Sequence, residues 1–358
     1  MWRRVSMLKL MFLGVMSIGV LSCVYLYANT VPREWWHIQV PISYKDDVAL
    51  VIEQLRLPER SGCNQIPKRI HQTWNTESIP GSQAKYVETW MKYNPDWEYW
   101  FWTAKQMDEF VSRRFPKYIE MFRNYPKYME RADAMRFFVL YEFGGVYADL
   151  DVSALRPWDE QLTRAHTLLI PEDHEAHTVL LFGLESIAMS AIIMSTPGHQ
   201  FFAHIIRNLP AVDKNTDEDD LLGKAGPLMV TRQLEKYKAA RNASIGSICD
   251  AVYVPYHYDF NPDFDKTNVN LFRRTCRLRR SERKAFSLKK KICSHLISNG
   301  FTNHPKRKSA YTNHAFAHTY LKGFVDSTKR DIKKIAGDMF VNVTERYMKL
   351  VGPNPGGI

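Results

Sequence analysis

Two carboxylates stand two residues apart at Asp149 and Asp151, at the end of the run Gly144-Gly145-Val146-Tyr147-Ala148. In an extended strand alternate side chains face the same way, so both acids would point to one side. Held that close they repel, and one of them tends to keep its proton. A hard divalent cation removes the conflict, because Mg2+ or Mn2+ prefers oxygen ligands and neutralises both charges. A cation held this way can also grip a diphosphate. An Asp-x-Asp pair alone is a short pattern and is more often an acidic loop after a buried strand. The flanking residues give this pair its weight.

The elements that must position the pair lie just upstream. Ala134, Phe137, Phe138 and Tyr141 recur at helical spacing, and Gly144-Gly145 ends the helix as glycine does at a C-terminal cap. The order is therefore helix, glycine turn, short apolar strand, acidic pair. Elsewhere the pattern predicts strands over residues 67–74 and 98–102, and helices over 83–91, 105–115, 118–122, 128–143, 199–209 and 226–238. Residues 166–170, 188–194 and 253–255 are further sheet candidates, and 315–318 is a late short strand. Strands alternating with helices indicate an α/β sheet, in which ligands sit outside the carboxyl ends of the strands.

Asp133 and Arg136 are three apart and share a helix face among apolar neighbours, so a buried charge there needs a partner. An internal salt bridge is one reading and a ligand contact the other. Trp74 offers an aromatic face that can stack on a nucleobase. His71 reads as structural. Tyr147, two residues before Asp149, shares its face and reads first as packing, with contact to a nucleotide as the second reading.

At this point the chain resembles family 32 glycosyltransferases with an Asp-x-Asp motif. The resemblance rests on Arg131-Ala132-Asp133-Ala134-Met135-Arg136 followed by Gly144 to Asp151, on Ile66-Pro67-Lys68-Arg69-Ile70-His71-Gln72-Thr73-Trp74 with Asn94-Pro95-Asp96-Trp97, and on Met194-Ser195-Thr196-Pro197-Gly198-His199 with Ala225-Gly226-Pro227. That family includes the fungal initiating α-1,6-mannosyltransferases and the inositol-phosphoceramide mannosyltransferases. The resemblance implies the GT-A fold, a Rossmann-like nucleotide-sugar-binding α/β domain. It implies a retaining α-glycosyltransferase that needs Mn2+ or Mg2+ and moves a sugar from a nucleotide-sugar donor to a glycan or glycolipid acceptor. GDP-mannose is the first donor and a UDP-sugar the second. It further implies that Asp151 and Asp149 hold the metal, that Asp133, Arg136 and Arg131 face the donor sugar, and that Trp74 and Tyr147 line the nucleotide. A late histidine completes the metal shell in many such enzymes; His318 is the candidate and His314 the runner-up.

Two positions depart from the family pattern: Ser190 replaces an Asn, and residues 319–324 lack a Ser-Trp pair. They keep open a non-catalytic lumenal sugar-binding relative that kept the fold. Glu172, Asp173 and His174 either border the acceptor or form a solvated turn.

The rest of the chain suggests a secretory-pathway layout. Residues 10–28 are almost wholly apolar after Arg3, Arg4 and Lys9, which suits a membrane anchor with a cytoplasmic amino end. The expected organisation is a tail at 1–9, a transmembrane signal anchor at 10–28, a stem at 29–62, the catalytic domain at 63–325 and a helical extension at 326–358. This is the single-pass type II arrangement of a Golgi or ER membrane enzyme. Cys63, Cys249, Cys276 and Cys293 permit two disulfides with three connectivities. Asn242-Ala243-Ser244 and Asn342-Val343-Thr344 match the N-glycosylation pattern. The net charge of +11 concentrates in residues 271–308. That run reads as a solvated insertion or a face toward anionic lipid or an acidic acceptor; the lumenal placement and the lack of a recognition motif argue against nucleic acid.

Overall fold

In the computed structural model, residues 63–163, 166–217, 220–242, 248–277, 287–303, 309–319 and 326–351 are described. The expected tail, anchor and stem lie outside them. Among the described residues no helix is long and apolar enough to cross a membrane.

The strands are β1 (Arg69–Thr73), β2 (Ser78–Pro80), β3 (Glu98–Trp102), β4 (Gly145–Ala148), β5 (Val152–Ala154), β6 (Leu168–Leu169), β7 (Ile192–Ser195), β8 (Thr312–His314), β9 (Lys329–Asp331) and β10 (Phe340–Val341). Six of them form one sheet in the order β10-β3-β1-β4-β7-β6. The pairs β10/β3, β3/β1 and β1/β4 are parallel, while β7 runs antiparallel to both β4 and β6. Alternation along these strands divides two cores. Trp100, Trp102, Tyr147 and Ile193 face one layer of helices, and Tyr99, Phe101, Val146 and Ile192 face the other. Both faces are covered, as a parallel sheet requires.

The helices used below are α1 (Gly81–Tyr93), α2 (Ala104–Arg114), α3 (Tyr128–Phe143), α4 (Glu175–Leu180), α5 (Gln200–Asn215), α6 (Pro227–Asn242), α7 (Val269–Thr275), α8 (Leu288–Ser298) and α9 (Val343–Val351). On one side of the sheet, α1 contributes Ala84, Val87 and Trp90 to the core. On the other, α3 contributes Ala134, Phe137, Phe138 and Leu140, beside residues of α2, α5, α6 and α9. The chain passes from α3 into β4 through Gly144 (φ +60°) and Gly145 (φ +97°). A Cβ at Gly144 would lie 2.6 Å from the Pro197 nitrogen, and one at Gly145 would lie 2.7 Å from the Arg69 carbonyl oxygen. Only glycine accepts both the dihedral and the close approach.

A small helical lobe stands apart from the two main cores. It packs Ala176 and Leu180 of α4 against Phe272, Ile292 and Leu296 of α7 and α8. The cysteines pair as Cys63–Cys249 and Cys276–Cys293, and the second bond joins the end of α7 to α8.

Two expectations need correcting. Residues 315–318 are not a strand: β8 ends at His314, and Phe316 and His318 take left-handed φ values of 50° and 49°. The segment after 326 is not only a helical extension, since β9 pairs with β2 and β10 adds a parallel edge strand to β3. The backbone there supplies hydrogen bonds that the sheet edges would otherwise leave open.

Candidate active site

After β1 the chain turns first to β3 on one side and later to β4 on the other, so the order reverses between β1 and β4. A crevice outside the carboxyl ends of those strands is where an open α/β sheet takes a ligand. Thr73 and Trp74 lie at the end of β1, and Asp149 follows β4. Thr73 Oγ1 and the Tyr147 hydroxyl meet across the gap at 3.2 Å.

The acidic pair is positioned by a turn, not by the strand alternation its sequence suggests. β4 stops at Ala148, and the Val152 amide donates to the Asp149 carbonyl at 3.0 Å. That turn brings Asp151 to β5, which pairs antiparallel with β8 so that Val152 stands opposite His314. Asp149, Asp151 and His314 each offer a ligand atom within 4.8 Å of the others. His314 Nε2 is 3.1 Å from Asp151 Oδ1, and the Ala317 amide donates to Asp151 Oδ2 at 2.8 Å. Burial works against the Asp151 charge, but His314 and the Ala317 amide outweigh it and hold its pKa down at about 2. The same pairing raises His314, against its burial.

Arg136 of α3 is the hub behind the pair and is 2% exposed. Its guanidinium donates to the Ser190 carbonyl at 2.6 Å, to Asp133, and to Asp149 Oδ1 at 3.2 Å. It also lies over the Tyr147 ring at 5.0 Å. Burial raises the carboxyls of Asp149 and Asp133; Arg136 opposes the shift in each case but is shared between them. Three largely buried carboxylates therefore share one permanent cation. With all three acids ionised and His314 neutral the cluster carries an excess of two negative charges, and burial pushes Asp133 and Asp149 toward their protonated forms unless a further cation joins them. A hard divalent cation fits that donor set of two carboxylates and an imidazole. His314 Nδ1 is buried with no hydrogen-bond partner, so the ring is not committed to a structural role at both nitrogens.

The predicted site residues divide as follows. Asp149, Asp151, Asp133 and Arg136 come together. Tyr147 belongs to the same cluster but is 1% exposed and packed, so it offers no open face to a nucleotide. Trp74 is half-buried at the crevice rim, and its amide donates to the Trp102 carbonyl at 3.2 Å. Arg131 is half-buried two residues before Asp133, about half a helical turn, with its Nε lacking a hydrogen-bond partner. His318 is displaced from the acidic pair: its Nε2 lies 2.8 Å from Asp265 Oδ2, and His314 takes the place expected for it. The left-handed backbone at Phe316 and at His318 itself turns that ring away. His71 is structural. It accepts from Trp102 Nε1 at 3.2 Å, meets the Gly144 carbonyl at 2.9 Å, and is driven by burial down to a pKa of about 3.

Sequence reasoning missed Gln72, Tyr99 and Asp265. Gln72 Nε2 donates to the Asp149 carbonyl at 3.1 Å and Oε1 accepts from the Tyr99 hydroxyl at 2.7 Å, which ties the acidic turn to β1 and β3. A polar residue inside a buried parallel strand was the available signal. Asp173 belongs to a packed network and not to a solvated turn, since it accepts from Asn261 at 2.9 Å and meets His177 Nδ1 at 3.1 Å.

Residues 80–168 match the glycosyltransferase sugar-binding region containing a DXD motif. The chain is similar to several fungal mannosyltransferases. Mannosyl phosphorylinositol ceramide synthase SUR1 of Saccharomyces cerevisiae is 31% identical over 54% of this chain and 49% of its own length. Inositol phosphoceramide mannosyltransferase 3 of Schizosaccharomyces pombe is 35% identical over 47% of this chain and 44% of its own length. The initiation-specific alpha-1,6-mannosyltransferase of Candida albicans is 32% identical over 34% and 32%. The chain thus spans about half the length of the curated relatives it matches first. The matched glycosyltransferase region holds α1, α3 and the acidic turn, so it coincides with the cluster around Arg136.

Proposed function

We propose that this chain is a metal-dependent, retaining α-glycosyltransferase of the GT-A fold, moving a sugar from a nucleotide-sugar donor to a glycan or glycolipid acceptor. The observation that carries the reading is the buried charge deficit of Asp133, Asp149 and Asp151 against Arg136, placed at the carboxyl ends of β1 and β4. GDP-mannose is the first donor, because the relatives named above are mannosyltransferases. A UDP-sugar is the second. The acceptor follows the same relatives, of which two are named for inositol phosphoceramide chemistry.

Asp149, Asp151 and His314 would hold Mn2+ or Mg2+, which when bound offsets charge on a departing nucleoside diphosphate. The protein side chains do the rest. Arg136 sets the direction of the Asp149 carboxylate, and Gln72 fixes the backbone beneath it. Asp133, beside Arg136, and Arg131 further up α3 are the side chains proposed to hold the donor sugar's hydroxyls, which lowers the entropic cost of reaction. Trp74, half-buried at the crevice rim, is the ring proposed to stack on the base. Asp133 and Asp149 meet Arg136, and Asp151 meets His314 and the Ala317 amide, an arrangement that favours front-face attack by the acceptor hydroxyl.

Ser190 contributes its main-chain oxygen to Arg136, and any residue supplies that atom. The departure from Asn at this position therefore leaves the Arg136 contact intact. A Golgi or ER membrane location, with the catalytic domain lumenal, is consistent with two disulfides in the described residues. The test is donor turnover by the full chain across a panel of GDP- and UDP-sugars, with Mn2+ and with chelator. Turnover of one donor that needs the metal and is lost in Asp151→Ala supports the reading. Metal-independent turnover, or an active Asp151→Ala, refutes it.

A further inference from the structure

We propose that the small lobe of α4, α7 and α8 docks on an anionic lipid bilayer surface. The first observation is charge. Arg273, Arg274 and Arg277 follow one another on and just after α7, and Lys289, Lys290 and Lys291 open α8. Residues 269–277 and 287–298 contain no Asp or Glu at all. A merely solvated helix pair normally mixes both signs.

The second observation is apolar exposure on the same lobe. Ile297 is 56% exposed and Leu271 39%, and Phe182 and Leu184 project from the loop after α4. These four are most of the exposed large hydrophobic residues among those described. They are not core residues that missed their place. The inward faces of α7 and α8 are already filled by Phe272, Cys276, Ile292, Cys293 and Leu296. On α8, Lys290, Ser294 and Ile297 follow at spacings of four and three, hence on one face. On α7, Leu271 and Arg274 are three apart and face away from Phe272 and Cys276. Large apolar side chains interleaved with lysine and arginine are what an interfacial surface needs: the cations meet lipid phosphates and the apolar groups enter the acyl boundary. The Cys276–Cys293 bond fixes the two helices together, so both faces are presented as one rigid unit.

The lobe adjoins the candidate site through a run of packed rings. Phe272 lies 6.1 Å from His177, His177 lies 5.1 Å from Phe316, and Phe316 lies 4.1 Å from His314. The inference does not depend on the chemistry performed there.

The experiment places an environment-sensitive fluorophore at Ile297→Cys in a Cys23→Ser background, which leaves the two disulfides as the other cysteines. The full chain is reconstituted into phosphatidylcholine vesicles with or without phosphatidylserine. The expected result is a blue shift and brighter emission only with the anionic lipid, reversed by high salt. A label at Lys85→Cys, exposed on α1, stays unchanged. Arg274→Glu and Lys290→Glu should each lower the docked-to-undocked ratio, by about fivefold for every unit of positive charge removed, with the melting transition unmoved. Equal emission at position 297 in both vesicle types overturns the proposal. So does an equal response at position 85, or a response to an RNA oligonucleotide without one to anionic lipid.

Discussion

Arg136→Met tests the central arrangement directly, because it deletes the one permanent cation between Asp133 and Asp149 and leaves the rest of the packing close to its volume. Removing one partner of a buried ion pair costs about 3 to 5 kcal/mol, since the other charge stays buried without compensation. Here two carboxylates and the Ser190 carbonyl lose a donor at once. The upper half of that range is the expectation, against a total stability on the order of 5–15 kcal/mol for a folded domain. Arg136→Lys keeps the charge but not the planar fork, so one ammonium cannot reach three acceptors. It should cost about 1 to 3 kcal/mol. Asp133→Leu combined with Arg136→Met removes the buried acid along with its cation, and the double variant should be more stable than Arg136→Met alone, which is the signature of coupling. The assay is urea unfolding followed by tryptophan fluorescence, comparing midpoints at constant slope. Saturating Mn2+ should recover part of the loss, because a cation on Asp149 supplies what Arg136 gave; at about a hundred times Kd the gain is roughly 2.7 kcal/mol. A penalty for Arg136→Met below about 1 kcal/mol, or a double variant weaker than the single, would show that the cluster does not depend on this residue as argued.

The other expectations are more compact. His314→Ala should weaken Mn2+ binding by at least about tenfold in calorimetry, whereas His318→Ala, which loses the contact with Asp265, should leave most of it; the reverse order would restore His318 as the ligand. His71 is driven to a pKa of about 3 by burial, against 6.5 unfolded. The unfolded chain therefore binds the extra proton between those values, so this contribution to stability is complete above about pH 6.5 and is lost on acidification toward pH 3, by about 4 to 5 kcal/mol in full. His71→Gln should flatten that part of the pH–stability curve, and an unchanged slope would count against it. Cys63–Cys249 spans a sequence separation of 186 and Cys276–Cys293 one of 17. Loop entropy predicts that Ser substitution costs about 5 kcal/mol for the first bond and about 3 for the second, so the first variant should melt lower.

The elements carrying strong periodicity were legible in the sequence. The aromatic strand 98–102 and the helix 128–143 have the limits their patterns indicate, since a short aromatic run and a glycine cap are local signals. The pairing of β5 with β8 was not. Each has three residues, and they are brought together over more than 150 residues of chain, so neither carries a period long enough to detect. Yet this pair delivers His314. The order of the sheet was equally hidden, because β10 is two residues long and joins β3 from the far end of the sequence.

The acidic pair shows how a correct residue choice can rest on an incomplete geometric reason. Strand alternation puts Asp149 and Asp151 on one side, but the strand stops before Asp149, and the Val152 amide closes a turn onto its carbonyl. The two carboxylates converge because Gln72 and Arg136 hold Asp149 while Ala317 and His314 hold Asp151. All four of those partners come from other elements. The choice between His314 and His318 has the same origin. Four residues of regular strand would place both rings on one face, and a motif cannot rank them. The left-handed turns at Phe316 and His318 break that parity and aim Ala317's amide at Asp151 while His318 swings to Asp265. Non-glycine residues adopt such dihedrals only where their surroundings over-determine them. The contacts of Ala315 and Ala317 with Asp151 are what fix them here, so the acid that would hold the cation also decides which histidine joins it.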